Sequence, residues 1–182
     1  MKTILLLIVI TLASLHTKAQ FTKADLQATG LTCAMCSNAI YKALTAVPFV
    51  ETVKPDIKNS AFHIEFKKEP AIEIDVIKKA VEDAGFSVGS LNVTGNFENL
   101  KVANDQHVNI GHDVFHFLNV SEQSLNGEKT IAVVDKDYLT ARQFKKFSAA
   151  SHMDCVKTGR AAECCNKAGV SPGTRIYHVT IK

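Results

Sequence analysis

Features of several enzyme and nucleic-acid-binding classes are missing from this chain of 182 residues. It has no tryptophan, no glycine-rich loop of the kind that cradles phosphates, and no Ser/His/Asp or paired-carboxylate motif. Its basic residues form no run longer than a pair, and such pairs usually lie on solvated faces. These pairs are Lys67-Lys68, Lys78-Lys79 and Lys145-Lys146. We therefore expect neither nucleotide chemistry, nor catalysis, nor a nucleic-acid partner.

Long apolar runs are also rare, and the one that stands out is Ile4 to Leu15, behind Lys2. It is too short to cross a bilayer core of about 30 Å, which needs ~20 apolar residues. A charged start, a short apolar run and the small residue Ala19 are typical of a signal peptide. We predict that residues 1–19 are removed and that the protein is exported, either to the periplasm or as a secreted protein. The residue directly after the predicted cleavage site is not a cysteine, so no lipid anchor to the membrane is expected.

Two of the cysteines, Cys33 and Cys36, are close together in the segment Gly30–Cys36. Before them, Phe21–Thr29 has the character of a strand, and after them apolar residues recur at helical spacing. The thiols therefore lie where a loop enters a helix, and there the unpaired amide groups and the helix dipole favour a thiolate. Thiolate is the form needed both for binding a soft metal and for disulfide exchange, so the pair alone leaves both uses open.

The residues that follow alternate between helical and strand-like patterns. A first helix ends before Pro48, and Ala61–Phe66 alternates apolar and polar side chains as a half-buried strand does. In a second helix, Asp75 is the expected N-cap and Gly85 the expected left-handed C-cap. A further strand opens after that glycine. The order strand, helix, strand, strand, helix, strand predicts an α+β, ferredoxin-like βαββαβ unit over residues 20–93.

This part of the chain resembles the heavy-metal-associated (HMA) family, which includes copper chaperones and the N-terminal modules of metal-transporting ATPases. The resemblance covers residues 21–93 and rests on the Gly-x-Thr-Cys-x-x-Cys loop, the Ala61–Phe66 strand and the segment Ala80–Phe86. It implies that Cys33 and Cys36 bind the metal. The remainder of the chain shows no comparable resemblance.

The resemblance also implies supporting roles for residues around the loop. Thr32 stands beside the first cysteine, as in copper-handling members, whereas zinc- and cadmium-handling members often carry an acidic residue there. Met35 lies between the two cysteines, and the aromatic Phe86 is expected close to the loop, as in ATPase-type and mercury-type members. Leu31 replaces the methionine usual in the family and is expected to keep its packing role.

The number of ligands indicates which metal the loop binds. Cu(I) accepts two or three soft ligands, whereas stable zinc sites generally have four ligands in a tetrahedron. Two thiolates with few other donors nearby therefore favour Cu(I). Hg(II), which accepts a linear pair of thiolates, and Zn(II) stay open as alternatives.

The pattern of strands and one helix over residues 94–182 predicts a second unit. We expect a small β-rich α+β domain, with an OB-like, partly open barrel as its candidate architecture. Asn126-Gly127 is a strong signal for a tight turn between strands. Thr140 and Gln143 have the spacing of a capping box at the start of a helix. The chain is expected to close on a strand over residues 175–181.

The second unit holds the other three cysteines, and three interpretations compete for them. In an oxidising compartment Cys155 can form a disulfide with Cys164 or Cys165, closing a loop of about ten residues and contributing ~2–3 kcal/mol. The same thiols with His152 can form a second soft-metal site, because thiolate and imidazole suit copper and zinc. Buried, inert thiols are the third interpretation.

The predicted strands also carry histidines to which no metal role is assigned: His63, His107, His112, His116 and His178. On an extended strand over Val108–Val120, His112 and His116 share a face but lie roughly 13 Å apart, too far for one ion. Together with His107 they are predicted to be surface residues. By strand alternation His178, like His63, also faces outward.

Two functions are compatible with these patterns. In the first, an exported, non-enzymatic metallochaperone or scavenger holds Cu(I) at Cys33 and Cys36 and exchanges it with a metal-donating or metal-accepting protein. In the second, the same pair performs thiol–disulfide exchange, with Cys36 as the resolving thiol. The absence of tryptophan excludes the Trp that precedes the familiar redox motif, and the predicted strand order is not that of thioredoxin. These differences favour the first function.

Overall fold

The computed structural model describes residues 20–31, 34–68 and 70–182. Their strands are β1 (Gln20–Thr29), β2 (Val50–Asp56), β3 (Ala61–Phe66), β4 (Ser87–Val102), β5 (Gln106–Ile110), β6 (Asp113–Phe117), β7 (Gln123–Val133) and β8 (Ile176–Ile181). Their α-helices are α1 (Ala34–Thr45), α2 (Ile74–Asp83), α3 (Ala141–Ser148) and α4 (Cys155–Thr158), and short 3-10 helices occur at Lys136–Tyr138 and Glu163–Ala168. These eight strands form one sheet in the order β2-β3-β1-β4-β7-β8-β6-β5.

The first half of the sheet follows the expected ferredoxin-like order. Strands β2, β3, β1 and β4 are neighbours and pair antiparallel. Leu26 of β1 lies between Phe62 of β3 and Leu91 of β4, and all three side chains are buried. Helices α1 and α2 add buried residues such as Ile40 and Ile77 to the same cluster. This packing of two amphipathic helices on one face of the strands confirms the predicted βαββαβ unit.

The ends of α2 agree only in part with the prediction. Gly85 follows the C-cap Ala84 and has a φ of 88°, the left-handed conformation expected after a helix C-terminus. The N-cap is Glu73, whose side chain caps no backbone N–H, so the prediction of Asp75 as the N-cap is wrong. The reason is tertiary, because the Asp75 carboxylate accepts charge-assisted hydrogen bonds from Arg175, which are stronger than a local cap.

Strand β4 is 16 residues long and belongs to both halves of the molecule. Residues 87–96 pair with β1 on one edge, and residues 91–102 pair with β7 on the other. The domain division predicted between residues 93 and 94 therefore falls within a continuous strand and corresponds to no break in the sheet. Because β5 to β8 extend this same sheet, the OB-like barrel is not confirmed.

Asn126 and Gly127 lie inside β7, so the predicted tight turn is wrong. Gly127 pairs with Phe97, and the register between β4 and β7 then shifts before Leu100. The shift marks a bulge in which Asn99 and Gly127 have positive φ values of 50° and 68°. The backbone N–H of Asn99 donates to Asn126 Oδ1 over 2.8 Å. The left-handed preference of Asn-Gly thus shapes a bulge here rather than a hairpin turn.

Strand β8 lies in the interior of the sheet, antiparallel to β7 and parallel to β6. Tyr177 and Val179 belong to the large hydrophobic cluster that includes α1 and α2, while Ile176 belongs to a second cluster. Since neighbouring strand residues point to opposite faces, the second cluster lies on the other side of the sheet. Helices α3 and α4 cover that side, so both faces of β8 are buried.

Helix α3 begins as predicted. Thr140 Oγ1 accepts a hydrogen bond from the backbone N–H of Gln143, and the Gln143 side chain accepts one from the N–H of Thr140. The helix then packs Phe144 and Phe147 against the second cluster. The capping box is therefore confirmed, and it fixes the start of an element that covers the sheet.

A polar network joins α2 in the first half to the start of β8 in the second. The Arg175 guanidinium donates to Asp75 over 2.8 and 3.0 Å and to Asp135 over 2.8 Å, and the Tyr138 hydroxyl donates to Asp75 over 2.7 Å. Burial alone would raise the pKa of Asp75, but the hydrogen bonds from Arg175 and Tyr138 and the charge of Arg175 hold this pKa below its usual value. The halves are therefore joined by charge as well as by the sheet.

Within the described residues, no helix is both long enough and apolar enough to cross a membrane. The predicted signal peptide, residues 1–19, lies outside the described part of the chain. Export therefore stays a prediction from the sequence.

Candidate metal centres

The cysteine loop lies between β1 and α1. Gly30 follows β1 with a φ of 84°, which turns the chain toward the helix. Leu31 packs against the hydrophobic core, where a packing role was expected for it. Thr32 and Cys33 lie outside the described residues. Helix α1 begins directly after them, with Cys36 in its first turn.

The neighbours of the loop differ in exposure. Met35 is 83% exposed, so its side chain lies in solvent, and Cys36 is half-buried. Phe86 packs against the core, and its Cδ1 lies 3.9 Å from the position that a Cβ on Gly30 would occupy. At its described ends, the loop thus has an aromatic ring near Gly30 and an exposed side chain at Met35.

The start of α1 favours an anionic side chain. Its first turn contains no acidic residue, and the first amide N–H groups of any helix lack partners within the helix. Together with the helix dipole, these groups stabilise a thiolate at Cys36. Thiolate is the form in which cysteine binds a soft metal.

A comparison with protein families identifies this part of the chain. The profile of the heavy-metal-associated domain matches residues 25–87. Residues 25–87 are a heavy-metal-associated domain. The family predicted from the sequence is thereby confirmed, and the HMA domain includes both Cys33 and Cys36. The match does not extend to the second half of the sheet.

The HMA domain is similar to modules of larger proteins. A probable copper-exporting P-type ATPase of Archaeoglobus fulgidus is 37% identical over 60 residues, which are 33% of this chain and 7% of that protein. A solved copper-binding domain from HMA7, a P-type ATPase, is 31% identical, with 37% of this chain and 89% of that chain covered and a TM-score of 0.34. Oxidized MerP from Ralstonia metallidurans CH34 is 26% identical, with 37% of this chain and 96% of that chain covered and a TM-score of 0.34. The chain thus spans a small part of the length of the curated ATPase.

A second group of candidate ligands lies outside the HMA domain. His107 in β5 pairs directly with His116 in β6, and their stacked rings have centroids 4.3 Å apart. Cys155, at the start of α4, approaches both rings, with its Sγ 3.9 Å from His107 Nε2 and 3.8 Å from His116 Nδ1. These three ligand atoms lie within 4.8 Å of one another. Two strands and a helix thus bring three donor atoms close together.

The structure corrects the assignment of these histidines to the surface. His116 and His178 are fully buried, and His107 is partly buried. His112 and His63 are exposed, as predicted. Strand alternation gave the wrong result for His178, and the surface assignment of His116 is wrong as well, because β6 and β8 are interior strands with both faces covered.

One sequence signal indicates the pairing of His107 with His116. Gly111 has a φ of 63° and forms, with His112, the two-residue connection between β5 and β6. A two-residue hairpin pairs residues that are equally distant from its turn, which places His107 opposite His116. The distance of roughly 13 Å between His112 and His116 assumes one extended strand over Val108–Val120. That assumption is wrong, because the chain reverses direction at Gly111.

The three cysteines of the second half also meet. The Sγ atoms of Cys155, Cys164 and Cys165 lie within 4.8 Å of one another, and those of Cys164 and Cys165 are 3.7 Å apart. All three are thiols in this structure, so the disulfide stays a prediction for oxidised protein. His152 is exposed and, among the described residues, does not belong to the group. The imidazoles near Cys155 come from β5 and β6 instead.

Carboxylates orient two of the buried rings. His116 Nε2 lies 2.9 Å from Asp105 Oδ1, which leaves Nδ1 as the nitrogen directed at Cys155. His178 Nδ1 likewise hydrogen-bonds Asp135, and its buried Nε2 has no hydrogen-bond partner in the described residues. The rings of His116 and His178 lie 5.1 Å apart. Because Asp105 accepts a hydrogen bond from Nε2 of His116, the Nδ1 of this ring carries a lone pair when the ring is neutral.

Burial keeps the side chains of His107, His116 and Cys155 in their neutral forms. It lowers the pKa of His116 to about 4, and the proximity of His107 and His178 acts in the same direction, against the hydrogen bond to Asp105. Burial also lowers the pKa of His107 and raises the pKa of the Cys155 thiol. At neutral pH the two imidazoles are therefore in the unprotonated form that binds metals, and Cys155 is a thiol.

Proposed function

We propose that this protein is an exported, non-enzymatic Cu(I) metallochaperone or scavenger that binds its metal through Cys33 and Cys36. The observation that carries the proposal is the position of the Cys-x-x-Cys pair at the start of α1 within an HMA domain. Similarity to a probable copper-exporting ATPase supports copper as the metal carried. The charged and apolar N-terminus of the sequence supports export.

The surroundings of the loop favour Cu(I) over Zn(II). Two thiolates complete a shell for Cu(I), whereas Zn(II) needs further ligands to reach its usual four. The first turn of α1 contains no carboxylate, and the ring of Phe86 on the inner side offers no donor atom. Neither of these neighbours therefore supplies a further ligand for zinc. Hg(II) accepts the same two thiolates and competes for the site.

Transfer of the metal proceeds by ligand exchange. A thiolate of the partner would bind the Cu(I) ion as a third ligand and one cysteine of the loop would then dissociate; a second exchange of the same kind releases the ion to the partner, and no electron is transferred. The exposed side of the loop at Met35 gives the partner access to the ion. The partner is thus a metal-donating or metal-accepting protein with cysteine ligands of its own.

Anaerobic competition for Cu(I) tests this function. The reduced protein is titrated against a chromophoric Cu(I) chelator, together with the variant Cys33→Ser/Cys36→Ser. We expect the double variant to lose one tight Cu(I) equivalent, with affinity at the loop reduced by at least about 1,000-fold, because no soft donor pair remains. Met35→Leu is the matched control, since it removes an exposed sulfur from the same loop and keeps the side-chain volume. It should change the affinity by less than about threefold.

Three results would contradict the proposal. Equal affinities of the loop for Zn(II) and Cu(I) would exclude the copper assignment. An unchanged number of bound equivalents in the double variant would exclude Cys33 and Cys36 as ligands. Rapid exchange with protein disulfides by a protein that binds no Cu(I) would favour the thiol–disulfide exchange function instead.

A further inference from the structure

Cys155 lies where two groups of ligand atoms meet, outside the HMA domain. On one side are the imidazole nitrogens of His107 and His116, and on the other are the thiols of Cys164 and Cys165. All of these side chains are buried or partly buried. Imidazole and thiolate are the donors that copper and zinc prefer in proteins, so this cluster has the chemistry of a metal site.

The distances around Cys155 match the edges of a coordination shell. Metal–sulfur and metal–nitrogen bonds of about 2.3 and 2.0 Å place neighbouring donor atoms roughly 3.5–3.8 Å apart. Cys155 Sγ lies 3.8 Å from His116 Nδ1 and 3.9 Å from His107 Nε2. The two rings are stacked at an interplanar angle of 13°, so one ion can bind all three atoms once a ring rotates to direct its lone pair at the ion.

His116 is oriented as metal-binding histidines commonly are. Its Nε2 donates to Asp105 over 2.9 Å, which fixes the ring and directs the lone pair of Nδ1 at Cys155. The side chain is fully buried, so this lone pair does not face solvent. A histidine with a purely structural role usually has a strong hydrogen bond at each ring nitrogen, whereas the second nitrogen of His116 meets, within the described part of the chain, only a sulfur.

We propose that His107, His116 and Cys155 form a second Cu(I) site that is independent of the HMA loop. Two imidazoles and one thiolate complete a trigonal shell for Cu(I), while Zn(II) would need a fourth ligand. Binding replaces the proton of the Cys155 thiol, which passes to solvent. The partly exposed His107 and Cys164 mark the side from which the ion reaches the buried sulfur when the structure around α4 opens locally. The proposal does not rest on the function proposed for the loop.

The variant Cys33→Ser/Cys36→Ser isolates this site in the full chain. Its reduced form is titrated anaerobically with Cu(I) against a chelator, alone and with His107→Ala or Asp105→Asn added. We expect one Cu(I) equivalent per chain, bound about 100-fold more weakly after His107→Ala and about 10-fold more weakly after Asp105→Asn. His152→Ala is the matched control, because this exposed histidine is close in sequence to a proposed ligand but lies outside the cluster. It should leave binding unchanged.

Copper K-edge X-ray absorption of the same loop-deficient protein supplies a measurement that needs no substitution in the second half. We expect a shell of one sulfur and two imidazole nitrogens, and circular dichroism verifies the fold of each variant. An all-sulfur shell would place the ion among the three cysteines and overturn the role of the histidines. Failure to bind a Cu(I) equivalent, or tighter binding of Zn(II) than of Cu(I), would overturn the site. Because the loop cysteines are replaced, a failure here leaves the proposed function of the loop untouched.

Discussion

The two candidate centres differ in how the chain builds them. Cys33 and Cys36 are close in sequence, and a single helix start provides their environment. His107, His116 and Cys155 come from two strands and a helix, and they meet only once the second half of the sheet has formed. The loop is open to solvent at Met35, while the second cluster lies in the interior. A pair on one short loop, with solvent access at Met35, suits rapid exchange of a metal, and a centre assembled across the fold suits its retention.

The largest expected effect concerns the rate of Cu(I) release from the two centres. Release from the buried centre requires local opening around α4, and an opening free energy of about 3 kcal/mol slows it by ~100-fold relative to the exposed loop. Stopped-flow transfer of Cu(I) from the fully loaded protein to a chelator should therefore show two phases. The fast phase should vanish in Cys33→Ser/Cys36→Ser and the slow phase in Cys155→Ser. Release in a single phase would remove the distinction between the centres.

The contacts that join the two halves give the next largest effect. Arg175→Met removes the guanidinium from Asp75 and Asp135. Asp135 is buried and loses its counter-ion, so we expect the free energy of unfolding to fall by about 3 kcal/mol in urea titrations. Lys54→Met removes an exposed ion pair with Glu65 and serves as the control, with a cost that is small beside that of Arg175→Met because solvent screens the pair. Equal effects of the two substitutions would show that the network adds nothing beyond a surface ion pair.

The smallest expected effect is the pH dependence of the same network. A carboxyl whose pKa is lowered in the folded state, as that of Asp75 is, contributes stability above its unfolded pKa of about 3.9. This contribution is lost as the pH falls through the folded pKa. Because the carboxylate is partly exposed, we expect Asp75→Asn to cost under about 1 kcal/mol at pH 7, and the cost to shrink below about pH 4. Urea titrations of both proteins across this range measure the difference, and a difference that grows on acidification would contradict the sign.

The features that the sequence could predict depend on neighbouring residues alone. Alternation over Ala61–Phe66 predicted β3, the spacing of Thr140 and Gln143 predicted the cap of α3, and Gly85 marked the end of α2. The HMA loop belongs to this class, because its two cysteines and the following helix form one continuous segment. For this reason the first half of the fold and its candidate site could be predicted in outline.

The features that could not be predicted depend on partners far away in the chain. Asp75 has the position of an N-cap, but Arg175, 100 residues further on, takes its carboxylate. Asn126-Gly127 has the composition of a turn, but β4 pairs with it through a bulge. His178 alternates like a surface residue, but other elements cover both faces of its strand. In each case a tertiary contact overrides a local preference.

The second centre falls between these two cases. The sequence identified Cys155, Cys164 and Cys165 as a group with metal or disulfide chemistry, and the structure brings their sulfur atoms together. From the sequence these cysteines were associated with His152, which is near them in the chain. The imidazoles come instead from a hairpin that begins almost fifty residues earlier. The cysteines could be found from their density in one loop, but their histidine partners required the register of β5 and β6.

The shared strand β4 makes the two halves inseparable as working parts. A proteolytic cut after residue 93 would end the chain in mid-strand and remove β7, leaving one edge of β4 without its pairing partner. An uncovered strand edge is a template for pairing with other chains. A fragment that ends at residue 93 would therefore expose a strand edge that the whole sheet covers, so the half with the cysteine loop depends on the second half for the protection of its own edge.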